Sequence, residues 1–131
     1  MTGFTTNAMA APKAPATHAS TSVHPDDGFL IECGPPTSEP SISINTGTAH
    51  SDSVKQAQCY LNNALFFTSV PFLTVDGDFG SHTRAATIDF QRCWNHLFNP
   101  NISVDGGIGP QTWPRLQSMA NGETSSLCTD A

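Results

Sequence analysis

Apolar residues recur at helical spacing in two stretches of this chain. Val54, Ala57, Leu61, Ala64 and Leu65 share one face of a segment that Asp52 or Ser53 can cap, which predicts a helix over 53–66. Thr83, Ala86, Thr87, Phe90, Trp94 and Leu97 share one face of a second segment. They predict a helix over 81–97, ended by Asn99-Pro100-Asn101. Pro110 suits the first position of a short third helix, over 110–119. Between the first two helices lies Phe66–Leu73, apolar and broken by Pro71. The N-terminal part has no such period. Ala11–Pro25 is a tract of Ala, Pro, Thr, Ser and His that cannot bury a core and reads as a linker. Asp26–Asp52 holds two short apolar patches, Phe29-Leu30-Ile31 and Ile42-Ser43-Ile44, on either side of Gly34-Pro35-Pro36. It reads as an extended segment laid on a domain and pinned by Cys33.

These patterns predict an all-α fold: one small three-helix bundle over 53–119, a linker and extended flank over 11–52, and a C-terminal tail over 120–131. A chain of 131 residues has room for one such unit with its tails. Residues 1–10 lack a basic or apolar leader, yet Ala8-Met9-Ala10 resembles the small-residue end of a signal peptide. Two readings stay open there: the remnant of a signal, or a protein made without one that leaves the cell by lysis.

Composition narrows the function classes. Charged residues are only 12% of the chain, which argues against a solvated coiled coil. The net charge of -6 disfavours nucleic acid as a partner. That charge belongs to the flanks, because Ser53–Met119 carries four basic and four acidic residues. The longest apolar run, Ala64–Phe67, falls far short of the ~20 residues of a membrane span. Four cysteines suggest an oxidising compartment or a metal site.

An internal repeat carries the chemistry. Val75-Asp76-Gly77-Asp78-Phe79-Gly80-Ser81-His82-Thr83 and Val104-Asp105-Gly106-Gly107-Ile108-Gly109-Pro110-Gln111-Thr112 both read V-D-G-x-apolar-G-x-x-T, and each leads into a predicted helix. Asp before Gly forms an Asx-type turn, and Gly supplies positive φ. The apolar residue plugs the core beneath the turn. Gln58 and Gln91 are expected to be buried and to satisfy loop backbone groups. Asp76-Gly77-Asp78 lacks the further oxygens and closing Glu of a calcium loop.

This double signature resembles the peptidoglycan-binding domain family. The resemblance rests on Val54, Gln58 and Leu61, then Asp76, Gly77, Phe79, Gly80, Thr83, Ala86, Phe90 and Gln91, then Asp105, Gly106, Gly109, Thr112, Trp113 and Leu116. It covers about half the chain. Thr87 stands where the family prefers Val, and Phe66–Leu73 replaces a glycine often found after the first helix. The resemblance implies a compact three-helix module whose partner is bacterial peptidoglycan, both glycan strand and stem peptide. The two turns are expected at one end of the bundle, exposing backbone N–H groups at helix N-termini that suit stem-peptide carboxylates. The expected ligand-binding residues are Asp76, Gly77, Asp78, Asp105 and Gly106 in the turns, with Arg84 for charge pairing and Trp113 for stacking on sugar.

Cys93-x-x-His96, with Cys59, has ligand-like spacing for zinc, but the paired ligands of strong zinc motifs are missing. Disulfides are the better reading, with Cys59–Cys93 inside the module and Cys33–Cys128 tying the flanks. No metal and no cofactor is expected. The chain has no H-E-x-x-H and no supported acid/base pair, so it is expected not to be an enzyme, and catalysis would need a separate protein. Two roles remain: a secreted stand-alone module on the cell wall, or a virion or assembly protein that reuses the fold for structure or host adhesion.

Overall fold

The computed structural model describes residues 31–130, so the signal-like stretch 1–10, the tract 11–25 and the patch residues Phe29 and Leu30 lie outside the described part. Within it the chain forms three helices, α1 (Ser51–Ala64), α2 (Ser81–Leu97) and α3 (Thr112–Ala120). The class is all-α, as expected. One isolated antiparallel pairing, Ile42 with Ile108, stands outside the helices among the described residues. No described helix is long and apolar enough to cross a membrane.

The first helix begins two residues earlier than its pattern predicted and ends two earlier. Its cap is His50, in the left-handed region with φ 61°, and no side-chain cap bond forms. Asp52 sits in the first turn, where its charge complements the helix dipole. The chain turns after Ala64, and Phe66 N–H donates to Asn63 O at 3.3 Å. The third helix begins after a turn in which Thr112 and Trp113 N–H both donate to Gly109 O at 3.0 Å. Pro114 falls in the first turn of α3, where proline is tolerated.

The core is built from Val54, Ala57, Leu61, Phe79, Phe90, Ile108, Trp113, Leu116 and Met119, with Ile42 from the N-terminal flank. Helix α1 lies at its centre, packed against α3 and, less extensively, α2. Burial, and then the charge of Glu39, pushes the Tyr60 phenol above its ordinary value, so it stays neutral against this core. More unusual are the buried polar residues of α1: Gln56, Gln58, Asn62 and Asn63. Such groups are tolerated inside a protein only when hydrogen-bonded. Each of the four holds a segment of irregular chain.

Gln56 and Asn63 hold the N-terminal flank. Gln56 Nε2 donates to Pro35 O at 2.7 Å, and its Oε1 accepts from Thr37 N–H at 2.8 Å. Asn63 Nδ2 donates to Ile31 O at 2.7 Å, and its Oδ1 accepts from Ile31 N–H at 2.9 Å. Cys59 lies between them on the same stripe of α1 and is bonded to Cys33. The second disulfide joins Cys93 on α2 to Cys128 in the tail.

These bonds correct the expected pairings Cys59–Cys93 and Cys33–Cys128. Proximity of consecutive helices was the wrong criterion. Cys59 faces the flank that Gln56 and Asn63 bind, whereas Cys93 meets the tail, where Cys128 is buried beside Met119. Each bridge therefore fastens one flank to one helix, with Cα separations of 5.6 and 5.9 Å. Loops of 26 and 35 residues correspond to stabilisation of about 3 to 4 kcal/mol each in the chain-entropy picture.

The flank does more than cover the bundle. Ile42 exchanges both backbone bonds with Ile108, at 3.0 and 2.8 Å, and Trp113 Nε1 donates to Pro40 O at 2.8 Å. Ile42 is only 2% exposed, so its side chain is a core element outside the three helices. Ile42→Ala is expected to destabilise the protein by about 2 to 4 kcal/mol in urea unfolding monitored by circular dichroism. A loss under about 0.5 kcal/mol, the range of surface changes, would contradict that placement.

Candidate binding site

The repeat folds into two matching clamps. In the first, Gln58 reaches from α1 into the turn at 76–80. Its Oε1 accepts from the N–H groups of Asp76 and Gly77, both at 3.0 Å. Its Nε2 lies 3.1 Å from each of three acceptors, Asp76 Oδ1, Asp78 O and Thr83 Oγ1. In the second, Gln91 reaches from α2 into the turn at 105–109. Its Oε1 accepts from Asp105 N–H at 3.1 Å and Gly106 N–H at 3.0 Å. Its Nε2 donates toward Asp105 Oδ1, Gly107 O and Thr112 Oγ1 at 3.1, 2.9 and 3.2 Å. The expectation that both glutamines serve loop backbone is met in full.

A second pair of residues, missed in the sequence, completes each clamp. Asn62, one turn after Gln58, takes both backbone groups of Leu73, with Leu73 N–H donating at 2.7 Å and Nδ2 donating back at 3.1 Å. Asn95, one turn after Gln91, does the same to Ile102 at 2.7 and 2.8 Å. The signal was present: Q-x-x-x-N occurs on both helices, and an aliphatic residue stands three places before each Asp-Gly. Each clamped pair therefore grips two points of the strand-like approach to its turn.

The turns themselves need glycine. Gly77 and Gly106 have φ of 80° and 78°, a region that L side chains rarely adopt. A Cβ at Gly77 would collide with Ser51 Oγ, and one at Gly106 would lie 2.9 Å from Arg84 Cγ. Both turns are joined by the segment 42–47. Ile42 pairs with Ile108, and Phe79 N–H donates to Gly47 O at 3.0 Å. Phe79 and Ile108 are the matching apolar plugs of the repeat, and both are buried.

The predicted site residues divide. Asp76, Asp78, Asp105 and Arg84 are exposed, while Gly77 and Gly106 are buried under Ser51 and Arg84. Asp76 and Asp105 each use Oδ1 to accept from the N–H two residues on, Asp78 and Gly107, both at 3.0 Å. Trp113 is a correction. It is 1% exposed and its indole N–H is spent on Pro40, so it supplies core volume and not a stacking surface. Within the turns the backbone donors are taken, whereas the N–H groups of Ser81, His82 and Thr83 at the start of α2 have no acceptor among the described residues. The N–H groups of residues 76–80 and 105–108 are taken by Gln58, Gln91, the two Asp side chains, Gly47, Ile42 and, for Gly80, Asp78 O. Self-satisfaction of the turns is what makes them rigid, and it leaves side chains and the first N–H groups of α2 as the groups that can face a ligand.

A groove of about 550 Å³ opens beside the first turn. Its walls are Val70–Leu73 on one side and His82, Ala85 and Asp89 of α2 on the other, with Asp76 and Asp78 at its end. Among the described residues no three His, Cys, Asp or Glu side chains are placed to hold one metal ion.

With this geometry in hand, comparison with known proteins is informative. Residues 50–116, the stretch that contains both clamps, match the family model of the peptidoglycan binding domain. Over 91 residues the chain is 36% identical to an uncharacterized protein of the bpoA1 3' region in Kitasatospora aureofaciens, a span of 70% of this chain and 67% of that relative. No solved structure matches.

The clamps generate a direct test. Gln58→Ala and Gln91→Ala each strand two backbone N–H groups, of which the glycine's is buried, and are expected to cost about 2 to 4 kcal/mol in urea unfolding. Gln58→Glu keeps the shape but replaces the donating amide with a carboxylate facing Asp76 Oδ1 and Asp78 O. Its loss should equal or exceed that of alanine; a milder effect would mean the amide's donor half contributes little.

Proposed function

Because the chain belongs to the peptidoglycan-binding domain family, we propose that it is a secreted, stand-alone module that docks non-catalytically on bacterial cell-wall peptidoglycan. The observation that carries this reading is the family match over residues 50–116, the span that contains both glutamine-clamped turns. The two disulfides agree with an extracellular, cell-wall location, since such bonds persist in oxidising compartments. Any bond-breaking on the wall belongs to a separate partner protein.

In this reading the ligand meets side chains around the turns. Arg84 lies across Gly106 with an exposed guanidinium, a partner for a stem-peptide carboxylate. Asp76, Asp78 and Asp105 offer acceptors to amides, hydroxyls or amines. Repeated sites on the polymer add avidity to each contact.

The test is sedimentation with purified sacculi stripped of teichoic acid. Wild-type protein is expected in the pellet, and Arg84→Gln, which keeps a stem over Gly106 but removes the charge, is expected to release a larger fraction without changing thermal stability. Wild-type protein left in the supernatant would refute wall binding. It would favour the second reading, a virion or assembly part, which the aromatic cluster of Phe66, Phe67 and Phe72 supports: Phe66 stands 5.2 Å from Phe67 and 5.9 Å from Phe72, and Phe67 is 45% exposed.

A further inference from the structure

The two clamps share a scaffold but differ in charge and in surroundings. Ser51 covers the first turn at the place where Arg84 covers the second. Asp78 of the first turn corresponds to Gly107 of the second. The first turn therefore presents two carboxylates and no cation, whereas the second sets one carboxylate against a guanidinium. The links differ too. Eleven positions separate Asn62 from its clamped Leu73, but only seven separate Asn95 from its clamped Ile102. The longer first link supplies Val70, Pro71 and Phe72, which form the apolar wall of the groove. The opposite wall is a single stripe of α2, since His82, Ala85 and Asp89 recur at helical spacing.

This groove has the form of a ligand site. Its volume of about 550 Å³ falls within the usual range for small-ligand sites, and it joins an apolar wall to a few polar groups. Every charged side chain lining it is an aspartate: Asp76, Asp78 and Asp89. The carboxylates of Asp78 and Asp89 make no hydrogen bond or ion pair among the described residues. The acidic groups do not converge as metal ligands do. They are spread along the groove, beside an apolar strip. Such a layout fits an elongated organic cation, whose carbon stem lies on the apolar wall while its ammonium group meets a carboxylate.

We infer that the groove between Val70–Leu73 and α2 takes the free side-chain ammonium of a diamino acid in an uncrosslinked stem peptide. This rests on the wall-binding reading and deepens it. Arg84 at the second turn takes a carboxylate of the ligand, and the first turn takes the amine. Crosslinking or acylation of that amine removes its charge, so the module distinguishes open stem peptides from joined ones.

The probes are a soluble muropeptide with a tripeptide stem ending in a diamino acid, the same muropeptide with its side-chain amine acetylated, and a glucosamine oligomer carrying free ring amines. Binding to the full chain is followed by titration calorimetry and by amide shifts in NMR. The free-amine muropeptide is expected to bind, with shifts concentrated at residues 70–73, 78, 82 and 89. Acetylation is expected to weaken it about tenfold or more. Asp78→Asn and Asp89→Asn should each weaken the free-amine probe severalfold and the acetylated probe much less, without changing the melting temperature. Equal affinity for both muropeptides overturns the inference, as does stronger binding of the glucosamine oligomer, which would place the amine on the glycan. If sacculi are bound but neither muropeptide is, the inference fails while wall binding stands. If sacculi are not bound, both fail.

Discussion

The fold depends on one interaction made twice: a buried glutamine amide closing on an Asp-Gly turn. A three-helix unit of this size has little apolar area with which to order two long connections. Gln58 and Gln91 solve this by taking two backbone N–H groups and up to three acceptors apiece, so that each turn is tied to the helix that precedes it and, through Thr83 or Thr112, to the helix that follows. Asn62 and Asn95 add a second grip on the same loops. Buried networks of this kind stabilise only when every member is satisfied, and here the glutamine, asparagine and aspartate groups are.

The same logic extends to the flanks. Helix α1 is polar on several faces and yet mostly buried, because Gln56 and Asn63 bind residues 31–37 as Gln58 and Asn62 bind the first loop. A disulfide then fixes each flank to its helix. Ile42 and Cys128, from opposite ends of the described chain, close the core that the helices leave open. The flanks thus belong to the folded unit. Side-chain amides order the irregular backbone of the N-terminal flank, and the Cys93–Cys128 bond holds the C-terminal tail.

The two turns spend the N–H groups of residues 76–80 and 105–108 internally. Selectivity passes to the side chains set upon the scaffold, and these differ between the two halves: Ser51 and Asp78 at one turn, Arg84 and Gly107 at the other. The apolar wall from Val70 to Leu73 exists because the first link carries more residues than the second.

Much of this was legible in the chain itself. The helical stripes, the V-D-G-x-apolar-G-x-x-T repeat and the paired glutamines are local patterns, and local patterns follow from helix periodicity and turn stereochemistry that any window of sequence reveals. The roles of Gln58 and Gln91 followed too, because a glutamine inside an apolar stripe must find a partner. Asn62 and Asn95 carried a signal in their common spacing from those glutamines. What tertiary structure alone decided were the long-range choices. Which cysteine faces which flank depends on the rotation of α1 and α2 about their axes, and spacing along the chain does not encode it. Trp113, expected to stack on sugar, is instead sealed in the core, where the flank's Pro40 carbonyl, far away in sequence, accepts its N–H. In each case the deciding partner lies on a distant segment, and its position is set by how the whole core packs.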